Sequence, residues 1–419
     1  MSAPPKPLSL PQLGAVVAGN ALEFYDFLTF SFFAVQIGAV FFPGKDTTSS
    51  LLLTLATFGV GFATRPLGGV VIGTLGDTWG RKPAMLFSFG LMGFSVVGLA
   101  LTPSYASIGW YAPLLAVLFR LLQGFALGGE VGPTTAFLLE VAPPHRRGLY
   151  VSLQNATQYF ATLCAGLVGL VLAKLLSPEA LTQFGWRIAL LIGASVVPFA
   201  LIIRKRLPET LHETRARPGG RKGPMGGLLW LGVLGLCMLA SLTIATYTMN
   251  YMTTFANHTL GFPPAWAFAA TIVAGSCAAL GALAGGVLSD RVGRKPVMLG
   301  SNLALLALVL PCFMAMVHFH NMTALLLGTG VMAAFVGLGA AAIMANLTES
   351  LPLNLRAGSV GIIYALAISA FGGTAQFMVT WLIAVTGSPL APAWYMSGAL
   401  VIGLCGMLAV RETAPIKLR

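Results

Sequence analysis

Ionisable side chains inside long apolar stretches are the residues of this chain with chemistry to offer. The first such stretch carries Asn20, Glu23 and Asp26, the second Arg65, and the fourth Arg120, Gln123 and Glu130. An ionisable group placed at the centre of a bilayer costs about 2.5–3.5 kcal/mol on insertion scales, so each of these is expected to face a cavity or a partner. On a helix Asn20, Glu23 and Asp26 cover about 120° of one face. Arg120, Gln123 and Glu130 lie within about 80° of one another. A guanidinium can grip a carboxylate with two parallel hydrogen bonds, which suits Arg120 and Arg65 to anion binding. Arg65 equally suits a structural pair with Glu23 or Asp26, because buried charges are usually paired. A carboxylate in partly dry surroundings can take up and release a proton near neutral pH. The five histidines, at 145, 212, 258, 318 and 320, all fall at loops or stretch ends. Proton carriage therefore falls to a carboxylate, a tyrosine or the substrate itself; Glu23 and Asp26 are the leading candidates, with Glu130 as a third acid whose position also suits a packing or gating contact.

Uncharged polar residues supply the rest of a candidate binding surface. They are Tyr25, Gln154 and Gln158 in the first half of the chain and Tyr247, Tyr251, Tyr364 and Gln376 in the second. Hydroxyl and amide groups can bind hydroxy and carboxyl oxygens; for each of them a hydrogen bond between helices is an equal reading. Ser369 to Gly373 suits either a soft or broken helix or close packing. No group of His, Cys or acids has metal-ligand spacing, and no Gly-x-Ser-x-Gly or phosphate-binding loop occurs, which argues against an enzyme and an ATP-driven pump. The five cysteines all lie in apolar stretches and are expected to be packed free thiols. No cofactor is expected.

These residues need apolar helices to position them. The chain of 419 residues is 57% hydrophobic and only 9% charged, with a mean hydropathy of +0.85. A soluble domain carries about 25% charge, so most of this surface is expected to face lipid. Stretches of about 20 apolar residues span a bilayer. Charge, Pro and Gly divide the chain into twelve, at roughly 12–42, 51–75, 83–102, 112–141, 148–175 and 186–204, then 227–257, 264–288, 296–317, 321–349, 357–385 and 392–410. The basic, Gly- and Pro-rich HETRARPGGRKGP at 212–224 reads as a linker. The expected units are a six-helix bundle over 1–206, a linker over 207–225 and a second six-helix bundle over 226–419. The proline-rich start lacks the order of a cleaved signal peptide, so the first apolar stretch is expected to be a retained helix. Nineteen of the 24 Lys and Arg fall on one side of the resulting topology, which puts both termini in the cytoplasm of a bacterial inner-membrane protein. The net charge of +12 is spread over short loops, so it calls for a lipid bilayer and not a nucleic acid. A monomer is expected.

The two halves repeat. GTLGDTWGRKPAM at 73–85 matches GVLSDRVGRKPVM at 286–298, and Glu140, Pro143 and Arg147 recur as Glu349, Pro352 and Arg356. Chance similarity of basic loops would explain the Arg and Lys but not the aligned Gly, Asp and Pro. Two parallel six-helix repeats are one plan of secondary transporters. The loops resemble the major facilitator signature Gly-x-x-x-Asp-Arg-x-Gly-Arg-Lys; the second copy matches fully, and the first has Thr78 in place of a basic residue. The resemblance implies gating contacts by Asp77, Arg81, Asp290 and Arg294, joined by Glu140, Arg147, Glu349 and Arg356 at helix ends. GNALEFYDF, RPLGG, RLLQGFALGGEVG, GWRIALLIG and PET resemble the metabolite:proton symporter family, whose members carry citrate, 2-oxoglutarate, shikimate or betaines. GSVGIIYALAISAFGGTAQ at 358–376, followed by PAWYM, is similar to its citrate and tricarballylate branch. The resemblance implies a proton-coupled, alternating-access importer of a small organic anion, with the proton as coupling ion.

Overall fold

The computed structural model describes residues 10–44, 46–79, 81–128, 135, 138–205, 225–352 and 356–417. The expected linker and Glu130 lie outside them, as do the side chains of Asp77 and Arg81. Among the described residues the chain is all helix, with no strand. The long helices are α1 (Leu10–Phe32), α2 (Ala34–Phe41), α3 (Thr47–Ala63), α4 (Arg65–Thr78), α5 (Arg81–Leu101), α6 (Tyr111–Leu127), α7 (Arg147–Leu175) and α8 (Trp186–Lys205) in the first half. In the second they are α9 (Met225–Asn250), α10 (Pro264–Val292), α11 (Arg294–Phe319), α12 (Met322–Ser350), α13 (Arg356–Ala367), α14 (Gly373–Thr386) and α15 (Ala391–Ala409). Among the described residues they group into twelve helical segments that match the twelve expected spans, because three pairs of helices are single broken segments. α1 and α2 bend by 68° at Phe33. α3 passes into α4 at Thr64, just ahead of Pro66, whose ring cannot continue the preceding hydrogen-bond ladder. α13 and α14 are joined by a π-helical turn, Ile368–Gly372.

Local sequence explains the helix ends. The Asp46 carboxylate accepts from the Ser49 N–H at the start of α3, and the Asn321 side chain accepts from the Ala324 N–H at the start of α12. Each satisfies one of the amides a helix leaves open at its first turn. Gly293 joins α10 to α11 at φ 109°, a backbone region that side chains disfavour.

Small residues set the packing. A Cβ at Gly124 of α6 would overlap the Gly61 carbonyl of α3, so the second and fourth spans meet backbone to backbone. Between the halves, a Cβ at Gly275 of α10 would lie 2.5 Å from the Leu163 N and 2.8 Å from the Tyr159 carbonyl of α7. Such close approach is how membrane helices associate without a hydrophobic driving force.

Candidate functional site

The polar residues of the first span diverge to three neighbours instead of opening together on one space. Asn20 donates to the Gln154 carbonyl and the Thr157 hydroxyl of α7, each at 3.1 Å. Glu23 lies close enough to Arg65 of α4 to act on it electrostatically. Asp26 is 2% exposed and packs against Gly193 of α8, where a Cβ would overlap its Oδ1. The helix wheel gives the arc between these side chains, but only the packing of α7, α4 and α8 around α1 assigns each its partner.

Arg65 and Arg120 come together because the second and fourth spans meet at their glycines. Both are buried, and both guanidinium carbons lie over the Phe27 ring, at 4.4 and 4.1 Å from its centre. Arg65 also lies 4.3 Å from Phe62, and Arg120 lies 4.8 Å from Phe30 and 4.9 Å from Phe58. Aromatic faces attract cations most strongly where water is excluded. Arg120 donates to the Gln123 side chain at 2.7 Å and to the Phe27 carbonyl at 3.3 Å. The Nε and Nη2 of Arg65 and the Nε of Arg120 have no hydrogen-bond partner.

A cavity lies between the halves. Its wall includes Phe24, Asn155, Gln158, Tyr159 and Thr162 from the first half and Thr243, Thr246, Tyr247, Asn250 and Tyr364 from the second. Gln158 and Tyr364 come within interaction range of one another across it. Of the residues expected to bind substrate, Gln158, Tyr247 and Tyr364 are therefore on the wall. Arg65 stands behind it, within electrostatic range of Tyr247 and Tyr364. Arg120 departs from the expected place in the cavity: with Gln123 it is enclosed behind phenylalanines, since α1 and α3 supply the rings that cover it. Asn20 and Gln154 tie the first span to the fifth, and Tyr25 donates to the Ala189 carbonyl of α8 at 3.1 Å. Gln376 accepts from Ser31 at 2.7 Å, and Tyr251 accepts from Thr380 at 3.0 Å. Tyr159, Thr162, Thr243 and Thr246 escaped the sequence reading. Thr243, Thr246, Tyr247 and Asn250 recur at helical spacing on one face of α9, a polar stripe that could have revealed them.

Of the expected gating residues, Asp290, Arg294, Glu349, Arg356, Glu140 and Arg147 come together at the end of the bundle that carries the basic loops. Asp290 accepts from the Gly148 and Leu149 backbone N–H groups at 2.8 and 2.9 Å, joining the second half to the first turn of α7 in the first. Arg294 pairs with Asp290 at 2.7 Å and with Glu349 at 3.2 Å. Arg356 lies within electrostatic range of Glu140, Arg147 and Glu349. The sequence reading missed Glu412, which accepts from the Arg294 and Lys295 N–H groups at 2.9 Å each and so caps α11. No group of three or more metal-ligating side chains occurs among the described residues.

The profile of the "Sugar (and other) transporter" family matches residues 12–217. The citrate-proton symporter of Klebsiella pneumoniae is 35% identical over 399 residues, covering 94% of this chain and 89% of that one. The chain belongs to the metabolite:proton symporter family of the major facilitator superfamily. The alpha-ketoglutarate permease of Escherichia coli strain K12 is 34% identical, covering 92% of this chain and 90% of that one. A crystal structure of a D-xylose-proton symporter superposes with a TM-score of 0.76 over 96% of this chain and 98% of that one, at 18% identity, which supports the fold alone. This member of the metabolite:proton symporter family is thus a polytopic membrane transporter and not an enzyme.

Proposed function

We propose that the protein imports a small polycarboxylate, citrate or tricarballylate, with protons, by alternating access. The observation that carries this reading is the pair of buried guanidinium groups, Arg65 and Arg120, beside a cavity of hydroxyls and amides at the junction of the halves. Two cations suit an anion with more than one carboxylate, and a charge-assisted bidentate pair is roughly twice as strong as a neutral hydrogen bond. Glu23, within reach of Arg65, links protonation to anion binding: neutralising the acid frees the arginine's charge for the substrate, and the coupling is reciprocal. Asp26, buried against α8, is the second proton carrier in this reading, and Glu130 the third. Asp77, Arg81, Asp290, Arg294, Glu140, Arg147, Glu349 and Arg356 close the basic end, which faces the cytoplasm together with both termini. The carrier works as a monomer, without a cofactor and with the proton as coupling ion.

Identity alone does not separate citrate from 2-oxoglutarate, since the two relatives differ by one percentage point. Competition does. Uptake of each labelled candidate into vesicles is measured against excess unlabelled citrate, tricarballylate, 2-oxoglutarate, shikimate and betaine, with and without divalent metal. Tricarboxylates are expected to compete best. Competition by 2-oxoglutarate, shikimate or a betaine alone overturns the substrate assignment and leaves the family intact.

A further inference from the structure

The two arginines and the cavity are separated by a layer of rings. Tyr247 is on the cavity wall, and its ring meets Phe62 at 5.4 Å, edge to face, and Phe58 at 6.2 Å. Phe62 and Phe58 in turn cover Arg65 and Arg120. Both phenylalanines are fully buried. Among the described residues the wall has no charged one, so a carboxylate in the cavity meets hydroxyls and amides while the Nε and Nη2 of Arg65, which have no hydrogen-bond partner, stay behind the rings.

Phe62 is fastened from the other half of the molecule. The Ser369 hydroxyl, in the π-helical turn between α13 and α14, donates to the Phe62 carbonyl at 2.8 Å. One turn on, Gly373 crosses α3: a Cβ there would lie 2.9 Å from the Gly59 carbonyl and 3.1 Å from the Phe62 Cβ. The ring layer therefore stays closed while the second and eleventh spans are pressed together, and any parting of the halves at this crossing releases Phe62. A π-helical turn is a common site of such local adjustment.

We propose that Phe62 and Tyr247 form a shutter between the central cavity and the Arg65–Arg120 pair, and that separation of α3 from the Ser369–Gly373 segment opens it to a carboxylate. This rests on the anion reading above, and it makes Phe62, Ser369, Gly59 and Gly373 positioning residues. The shutter ties exposure of the anion-binding charges to the movement of the halves. A neutral solute that only enters the cavity does not reach them.

The test is chemical modification of arginine in the purified full-length protein, with phenylglyoxal as reagent and peptide mass spectrometry to give a rate for Arg65 and Arg120. Exposed Arg291 serves as the internal reference. Ser369→Ala removes one ordinary hydrogen bond from the closed state and is expected to raise the Arg65 rate about fivefold. Phe62→Ala removes the ring itself and is expected to raise it further, and Gly59→Ala, whose new methyl would overlap Gly373, acts in the same direction. Phe30→Ala removes a ring that covers Arg120 but neither borders the cavity nor stacks on Tyr247, and is expected to leave Arg65 at the wild-type rate. Unchanged Arg65 rates in Ser369→Ala and in either other shutter variant overturn the proposal. So does an equal rise in Phe30→Ala, which means a loosened core. Citrate is then added to the Phe62→Ala protein. Slower modification of Arg65 supports both readings, whereas a raised rate that citrate does not slow keeps the shutter and removes the substrate assignment.

Discussion

Asp290 joins the halves at the basic end, and removing its charge tests whether that contact acts as a latch in alternating access. Its carboxylate takes two N–H groups from the first turn of α7, Gly148 and Leu149. Those amides have no acceptor within their own helix, and the positive end of the helix dipole favours an anion there. Asp290→Asn keeps the shape, but an amide can accept through one oxygen only and turns its NH2 toward the second donor. Hydrogen bonds to a charged group are worth about 1.5–3 kcal/mol each, so loss of one bond and of the dipole attraction comes to about 2–4 kcal/mol. At about 1.4 kcal/mol per factor of ten, the open form at this end gains about 30-fold to nearly a thousandfold. Gly148→Ala attacks the same latch from the other half, because its methyl would overlap Arg294 and lie 2.6 Å from the Gly286 carbonyl. The assay places a single cysteine at Thr246, on the cavity wall, in a background with the native cysteines replaced, and follows its reaction with a maleimide in detergent solution. Both variants are expected to speed labelling at least about 30-fold. An unchanged rate in both refutes the latch.

Other consequences follow from the same geometry. Burial opposes charge on Glu412, but the N–H groups of Ala414, Lys295, Arg294 and Thr413 outweigh it and hold the carboxyl below its usual 4.5. Such a group stabilises the fold above the ordinary carboxylate range and loses that contribution as pH falls through its lowered value. The thermal midpoint of the wild type is therefore expected to drop below pH 4.5, with a smaller drop in Glu412→Gln, which starts about 1 kcal/mol less stable at pH 7; equal pH profiles contradict this. Glu23→Gln and Asp26→Asn are expected to reduce uphill uptake more than counterflow of labelled citrate, since only uphill uptake needs the proton. Full uphill uptake in both and in the double variant removes the carriers named here. Arg120→Lys is expected to weaken citrate binding at least tenfold by calorimetry, because an ammonium cannot reproduce the planar fork held among Phe27, Phe30 and Phe58; wild-type affinity counts against an anion-binding Arg120.

Span positions and the charged cluster at the basic end were legible in the sequence for physical reasons that act locally. Charge, Pro and Gly end an apolar helix wherever it lies in the bundle, so the expected boundaries fall close to α3–α4, α7 and α10 as observed. The recurrence of Glu140 and Arg147 as Glu349 and Arg356 pointed to the cluster at the basic end because a duplicated fold repeats its contacts. The site was less legible. A helix wheel fixes the angle between Glu23 and Asp26 but not which neighbour each meets, and the structure sends one toward Arg65 and the other against Gly193. Arg120 reads as a cavity arginine until Phe30 and Phe58, from two other spans, are seen to cover it. The bend at Phe33 has no Pro or Gly to announce it; its ring packs 4.8 Å from Phe268 of the opposite half. Glu412 lies more than a hundred residues from the α11 amides it caps, beyond the reach of any local pattern.

The central claim is proton-driven movement of a tricarboxylate, and it is tested most directly by uptake of labelled citrate into proteoliposomes with an imposed pH gradient, acid outside. The account predicts accumulation above the external concentration that collapses when a protonophore is added. Accumulation that survives the protonophore, or no movement of either citrate or tricarballylate by folded protein, contradicts it.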